Sequence, residues 1–150
     1  MATSSVNIWY DKILKNVRSF LRTEFQGTMD VYIGEYKPSG NESMRLVPLE
    51  SSLIERSKSG HMREYKVGVY YYYSLKNMHH GAYTEHVLSR LHRIEAVFNN
   101  NANKTSASGN DYFEGLLETC TLDAEVIDED QFSGYIIRWD FTCKNIGNIN

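Results

Sequence analysis

The sequence predicts an α+β fold, an antiparallel or mixed β-sheet with two helices packed on one face. Three observations lead there. Residues 6–25 place apolar side chains at three- and four-residue steps, the spacing of one face of a helix. Residues 62–75 alternate as a long strand and include the run Tyr-Lys-Val-Gly-Val-Tyr-Tyr-Tyr-Tyr-Ser-Leu. After a second helical pattern, two further alternating strands close the chain. Stacking both helices on one face of the sheet is the simplest layered arrangement of that order.

The first helix is expected over 6–25, with Tyr10, Ile13, Leu14, Val17, Phe20 and Leu21 as its stripe. Ser4 or Ser5 can cap its start and Gly27 can end it. Residues 29–36 read as a strand, with Val31 and Ile33 on one face and Tyr32 on the other. A turn cluster, Pro38-Ser39-Gly40-Asn41, follows. Residues 44–49 read as a short strand, where Pro48 argues for an edge or an end. Residues 51–60 are polar and Ser-rich, expected as a mobile loop or a long hairpin tip.

The long strand comes next. Tyr65, Val67, Val69, Tyr71, Tyr73 and Leu75 share one face; Lys66, Gly68, Tyr70, Tyr72 and Ser74 share the other. So aromatic a second face implies cover on both sides or a partner. Residues 77–81 break the strand. The second helix is expected over 82–98, with Tyr83, Val87, Leu91, Ile94 and Phe98 in line and Leu88 beside them. Residues 99–110 are Asn-rich, lack apolar anchors and are expected to be poorly ordered alone.

In the closing hairpin, Cys120, Leu122, Ala124 and Val126 form one face of the first strand. Tyr135, Ile137, Trp139, Phe141 and Cys143 form the apolar face of the second. One domain spans 1–150, with a flexible N-terminus (1–5) and a polar C-terminal tail (144–150). Its expected core is Ile13, Val17, Leu21, Val67, Val69, Leu91, Ile94, Ile137, Trp139 and Phe141.

A net charge of -3 argues against a nucleic-acid binder held by counterion release. Residues 1–5 lack the charged and apolar regions of a signal peptide, and no run reaches the length of a membrane span, so folding in cytosol is expected. Cys120 and Cys143 fall on separate strands without metal-ligand spacing, and buried free thiols are the expectation. His79 and His80 lie in a turn, and His86 and His92 point apart on a helix, so no metal site is expected. No Gly-rich phosphate loop, nucleophile elbow or Cys/His pair appears. The chain reads as a non-enzyme without cofactors.

Charge distribution says more. Lys12, Lys15, Arg18 and Arg22 line the first helix opposite its stripe, as a solvated face or a binding patch. Arg56, Lys58, Arg63 and Lys66 cluster around the Ser-rich segment and are candidates for contact with a partner. Seven acids and no Lys or Arg occupy residues 114–130. A molecule with a basic side and an acidic side can pair head to tail with copies of itself and close a ring. Lys15, Arg18 and Arg22 against Asp123 and Glu125 are the candidate ring contacts.

This order of elements resembles the tail terminator family of long-tailed bacteriophages. The matching features are the amphipathic helix at 8–25, Leu46-Val47-Pro48-Leu49 before a variable polar loop, and Arg63-Glu64-Tyr65-Lys66-Val67-Gly68-Val69-Tyr70. Val87-Leu88-Ser89-Arg90-Leu91 in a helix, the Asn-rich loop and a closing strand ending Trp139-Asp140-Phe141-Thr142 complete the layout. The resemblance implies a homohexameric ring in the virion, assembled in the host cytoplasm. Such a ring caps the tail tube, stops tube polymerisation and joins the tail to the head-side connector. DNA would pass through it without specific binding. Two alternatives stand beside this reading: another phage neck protein, such as a head-completion or stopper protein, and a small cellular ligand-binding domain or enzyme.

Overall fold

The computed structural model describes residues 7–34, 42–56, 60–74, 80–106, 109–128 and 132–147. The first helix opens at Asn7, whose side-chain oxygen accepts the Tyr10 N–H at 3.1 Å, while the Asp11 carboxylate accepts the Asn7 N–H. This reciprocal cap satisfies donors that the helix leaves open. The expected caps, Ser4 and Ser5, lie outside the described residues. The helix winds as a π-helix over Ile8–Leu14 and as an α-helix, α1, over Lys15–Glu24. A π turn takes more residues than an α turn, so the stripe drifts in its first part. Ile13, Leu14, Val17, Phe20 and Leu21 are buried as expected, but Tyr10 is exposed beside the Lys15 ammonium. Trp9 takes the inward place and meets Tyr65 edge to face at 4.8 Å. Gly27, at φ +79°, follows the helix in a left-handed conformation that suits glycine.

Among the described residues, six strands form one mixed sheet in the order β1-β2-β3-β6-β5-β4. They are β1 (Asp30–Ile33), β2 (Glu42–Arg56), β3 (His61–Ser74), β4 (Lys104–Ser106), β5 (Gly109–Asp128) and β6 (Phe132–Gly147). The second helix, α2, spans His80–Asn100. β1 runs parallel to β2, and the other pairs are antiparallel. This is the α+β architecture that the pattern predicts, with both helices on one face.

Tyr65, Val67, Val69, Tyr71 and Tyr73 of β3 are buried, as are Ile137, Trp139, Phe141 and Cys143 of β6. Phe20, Phe98 and Phe141 meet in sequence at ring distances of 5.1 and 4.9 Å and join α1, α2 and β6. Of the ten residues expected in the core, nine are buried; Leu91 is half-buried. On the helix-free face, Tyr72 and Ser74 are buried too, while Tyr70 is half-buried.

Four expectations need correction. Residues 51–56 are strand, paired with His61 to Tyr65, so of the two expectations the long hairpin holds and the mobile loop does not. Residues 144–147 are strand, paired with His61 to Glu64, rather than tail. The third correction concerns the Asn-rich segment. α2 continues to Asn100, and Asn101 donates its side-chain N–H to the Val97 carbonyl at 2.7 Å. The buried Tyr112 hydroxyl donates to the Asn101 carbonyl, Asn103 accepts the Glu114 N–H, and β4 pairs with β5. Side-chain amides and one tyrosine order what apolar anchors do not. Fourth, Cys120 is exposed, one strand further out than its partner Trp139, while Cys143 is buried; both are free. Burial pushes the Cys143 thiol up to about 12.

β5 also begins earlier than its alternation suggests. It bends at Gly115, whose N–H donates to the Ala102 carbonyl at 2.8 Å. A Cβ there would lie 2.9 Å from the Phe141 ring, so this approach requires glycine. The preceding residue, Glu114, adopts φ 51°.

Candidate functional site

β2, β3 and β6 run on together beyond the helix-covered sheet as an arm. At its tip Arg56 pairs with His61, and Gly147 lies across from His61. β2 bulges at Leu49 and at Ile54, where the register with β3 shifts. The arm presents apolar side chains to solvent: Leu53 is 50% exposed, Ile54 46% and Ile146 60%. A hollow lined by Glu55, Gly60, His61, Met62 and Ile146 lies at the same end. Leu53, opposite Arg63, and Ile146, opposite Met62, lie on different faces of the pleat, so each face of the arm carries exposed apolar surface. The polar composition of this segment had pointed to its charges and passed over Leu53 and Ile54.

Of the four basic residues expected to contact a partner, Arg56 is exposed at the arm tip. Lys58 lies outside the described residues. The Arg63 guanidinium donates to the Ser51 hydroxyl at 2.9 Å, and the Lys66 ammonium stands 3.9 Å from the Glu50 carboxylate. The pleat puts Arg63 on the face of Tyr65 and Lys66 on the face of Tyr70. Arg56 and Arg63 belong to the arm, Lys66 lies at its root between the buried Tyr65 and Val67, and the set does not converge on one point.

The basic residues of the first helix are mostly engaged within the chain. Lys12 pairs with the buried Asp111 at 3.1 Å, Lys15 with Asp11 at 3.7 Å, and Arg22 with Asp30 at 3.3 Å. Arg18 is half-buried and lines a shallow hollow with Lys15 and Arg22. The register sets Asp123 and Glu125 of β5 across from Ile136 and Gly134 of β6. The side chains of Asp123 and Glu125 lie outside what the structure describes.

Among the described residues a concentrated polar cluster lies at the sheet end away from the arm. The Glu42 carboxylate receives two hydrogen bonds from Arg90, at 3.1 and 3.3 Å, and one from the Tyr71 hydroxyl. His86 Nε2 lies 3.3 Å from it, with the His86 ring against Tyr73. Burial alone would raise the Glu42 pKa, but the hydrogen bonds from Arg90, Tyr71 and His86 hold it below the ordinary carboxylate value. Burial, with the bond to Glu42 next, pushes the Tyr71 hydroxyl well above its usual value. A carboxylate held ionised and surrounded by donors is a poor general base. Its evident work is to tie α2 to β2 and β3. Asp111 plays the same part for the first helix, accepting from Lys12 and, at 2.9 Å, from Asn16, while Asn145 donates to its carbonyl.

On the helix-free face a row of side chains crosses the sheet. Tyr32, Arg45, Tyr70, Arg138 and Thr121 are successive cross-strand neighbours. The Arg45 guanidinium lies 4.9 Å from the Tyr70 ring and 5.1 Å from Tyr72, and Arg138 lies 5.6 Å from Tyr70. Such stacking holds both partners in place. It explains why this face carries tyrosines without a covering helix.

Neither a protein-family model nor a curated protein matches this chain. Among the described residues no group of three or more His, Cys, Asp and Glu side chains is placed to hold a metal ion, and no helix is long and apolar enough to cross a membrane.

Proposed function

We propose that this protein is a structural, ring-forming subunit of the tail terminator type, acting through contacts between copies and with neighbouring proteins rather than through catalysis. The observation that carries the reading is the arm. Its strands leave the helix-covered sheet with Leu53, Ile54 and Ile146 in water. A lone subunit gains nothing from that exposure, whereas a neighbouring copy covering it removes apolar surface from solvent. The order of elements on which the resemblance rests, a helix, strands, a second helix and a closing pair of strands, is the order of the fold.

In this proposal the ring closes head to tail, seats on the last ring of tail-tube subunits and offers its other surface to the head-side connector. Arg56 and Arg63 lie on the arm that would reach a neighbour, with Lys66 at its root. Arg18 is the candidate ring contact on the first helix that keeps its charge uncommitted, since it makes no ion pair among the described residues. The net charge of -3 suits a channel through which DNA slides without being held. The test is to add purified protein to growing tail tubes and image them by electron microscopy. The expected result is a ring at one tube end and arrested elongation. Tubes that grow to the same lengths with bare ends would overturn the assignment.

A further inference from the structure

An arm that joins copies needs a matching surface on its neighbour, and the sheet carries one on its opposite edge. On the β2 edge, the exposed Leu53 pairs with Arg63 and so shares the Tyr65 side of the pleat, the side the helices cover further along. Arg56, opposite His61, falls on that side too, while Glu50, Glu55 and Glu64 fall on the other. Neither arginine makes an ion pair among the described residues. An exposed leucine therefore stands between two uncommitted cations.

The β5 edge shows the reverse. Leu116, 54% exposed, pairs with Thr142, which pairs with Lys66, so it lies on the helix-free side. Glu114 and Glu118 are exposed and reach the same side, where Glu114 meets the Lys144 ammonium and Glu118 accepts from the Thr142 hydroxyl at 3.4 Å. Lys144 answers one acid, and Glu118 makes no ion pair among the described residues. Here an exposed leucine stands between two acids. On α2 the exposed Leu88 has one acid, Glu85, within a turn and His92 on its other side, a poorer match for the arm. Both edges are also irregular: β2 bulges at Leu49 and Ile54, and β5 shifts register between Phe113 and Leu116 and between Leu117 and Thr119. Bulged edges do not extend one another's ladder, so the two can meet through side chains but not as a continued sheet.

We propose that the helix side of one copy's arm laps over the Leu116 surface of the next copy, with Leu53 against Leu116 and Arg56 and Arg63 facing Glu114 and Glu118. Covering the two leucines removes apolar surface from water, and the opposed charges set the orientation. The two patches come from opposite edges and opposite sides of one sheet. One face laid on the other is therefore a head-to-tail contact, which leaves one patch of each kind free and repeats until the ring closes. This lap rests on the ring reading and supplies the second half of its interface.

The test compares the unaltered full chain, the Leu53→Asp, Ile54→Asp variant and a Leu116→Asp variant, with mass read by light scattering at about 100 µM and low salt. The unaltered chain should assemble, and each variant alone should run at the 17.4 kDa of one chain. Mixed in equal amounts, the two variants should form a species of twice that mass that grows no further, because one brings an intact Leu116 surface and the other an intact arm. Glu118→Lys, at a side chain already in water, should raise the concentration needed for assembly at least about tenfold, which covers the case of an aspartate variant that folds poorly. With the unaltered chain assembled, a Leu116→Asp chain that still forms the same oligomer, a mixture that stays monomeric, or an unchanged assembly concentration for Glu118→Lys overturns the lap and leaves the ring reading standing. An unaltered chain that stays monomeric overturns both.

Discussion

β3 and β6 run through two different surroundings, and the same strands behave differently in each. Under the helices, Val67, Val69, Tyr71, Ile137, Trp139 and Phe141 are buried, and α2 is fastened by a carboxylate with several donors. In the arm the ladder continues through His61 to Glu64 and Lys144 to Gly147 with less cover, and Asn145 stays buried where it donates to the Asp111 carbonyl. Leu53, Ile54 and Ile146 then face water. The difference teaches that alternating hydrophobicity records what lies against a strand, not the strand itself. It also separates roles: the covered half carries stability, and the arm is available for contact.

The largest effect should come from the covered half. Trp139→Ala removes one of the largest fully buried side chains and should cost about 3–5 kcal/mol of unfolding free energy, measured by urea denaturation. A loss under about 1 kcal/mol would mean that this face is not the core. Next comes the fastening of α2. Arg90→Ala leaves the Glu42 carboxylate, 9% exposed, without its cationic partner and should cost about 2–3 kcal/mol.

The same carboxylate makes a pH prediction. Its folded pKa lies below the unfolded value. Its contribution is therefore fully present above the unfolded carboxylate pKa, about 4.3, and is lost as pH falls through the lower folded value. Glu42→Gln should destabilise at neutral pH, and its urea midpoint should fall less than that of the unaltered protein on acidification. Parallel midpoints at neutral and acid pH would show that Glu42 is not held ionised by the fold.

The smallest effect on the fold should come from the arm. Leu53→Asp with Ile54→Asp should change stability by less than about 0.5 kcal/mol, since both side chains are already in water. The same pair should abolish assembly. A large loss of stability in the monomer would make the arm part of the core and erase the contrast.

What the sequence made legible follows the same division. The stripe of the first helix, both faces of β3 and the apolar face of β6 could be read because one side of each is buried. The strands at 51–56 and 144–147 could not, because residues 52–56 are exposed in succession and the buried side chain of the second segment, Asn145, is polar, so no apolar alternation marks either. The Asn-rich segment was misread because its order comes from Asn101, Asn103 and Tyr112, and hydropathy does not register amide hydrogen bonds. For the site, the arm's position between two well-patterned strands was legible, and its charged residues were named. Its exposed leucine and isoleucine were not. Nor was the pairing of Lys12 with Asp111 and of Arg22 with Asp30, which joins residues that no local pattern connects.

The central claim is that the arm joins copies of this chain into a closed ring. Mass measurement by light scattering at tens of micromolar, on the unaltered protein beside the Leu53→Asp, Ile54→Asp variant, tests it most directly. The account predicts a single species of six times the 17.4 kDa chain mass for the first and a monomer for the second. A monomer in both samples, or the same oligomer in both, would contradict it.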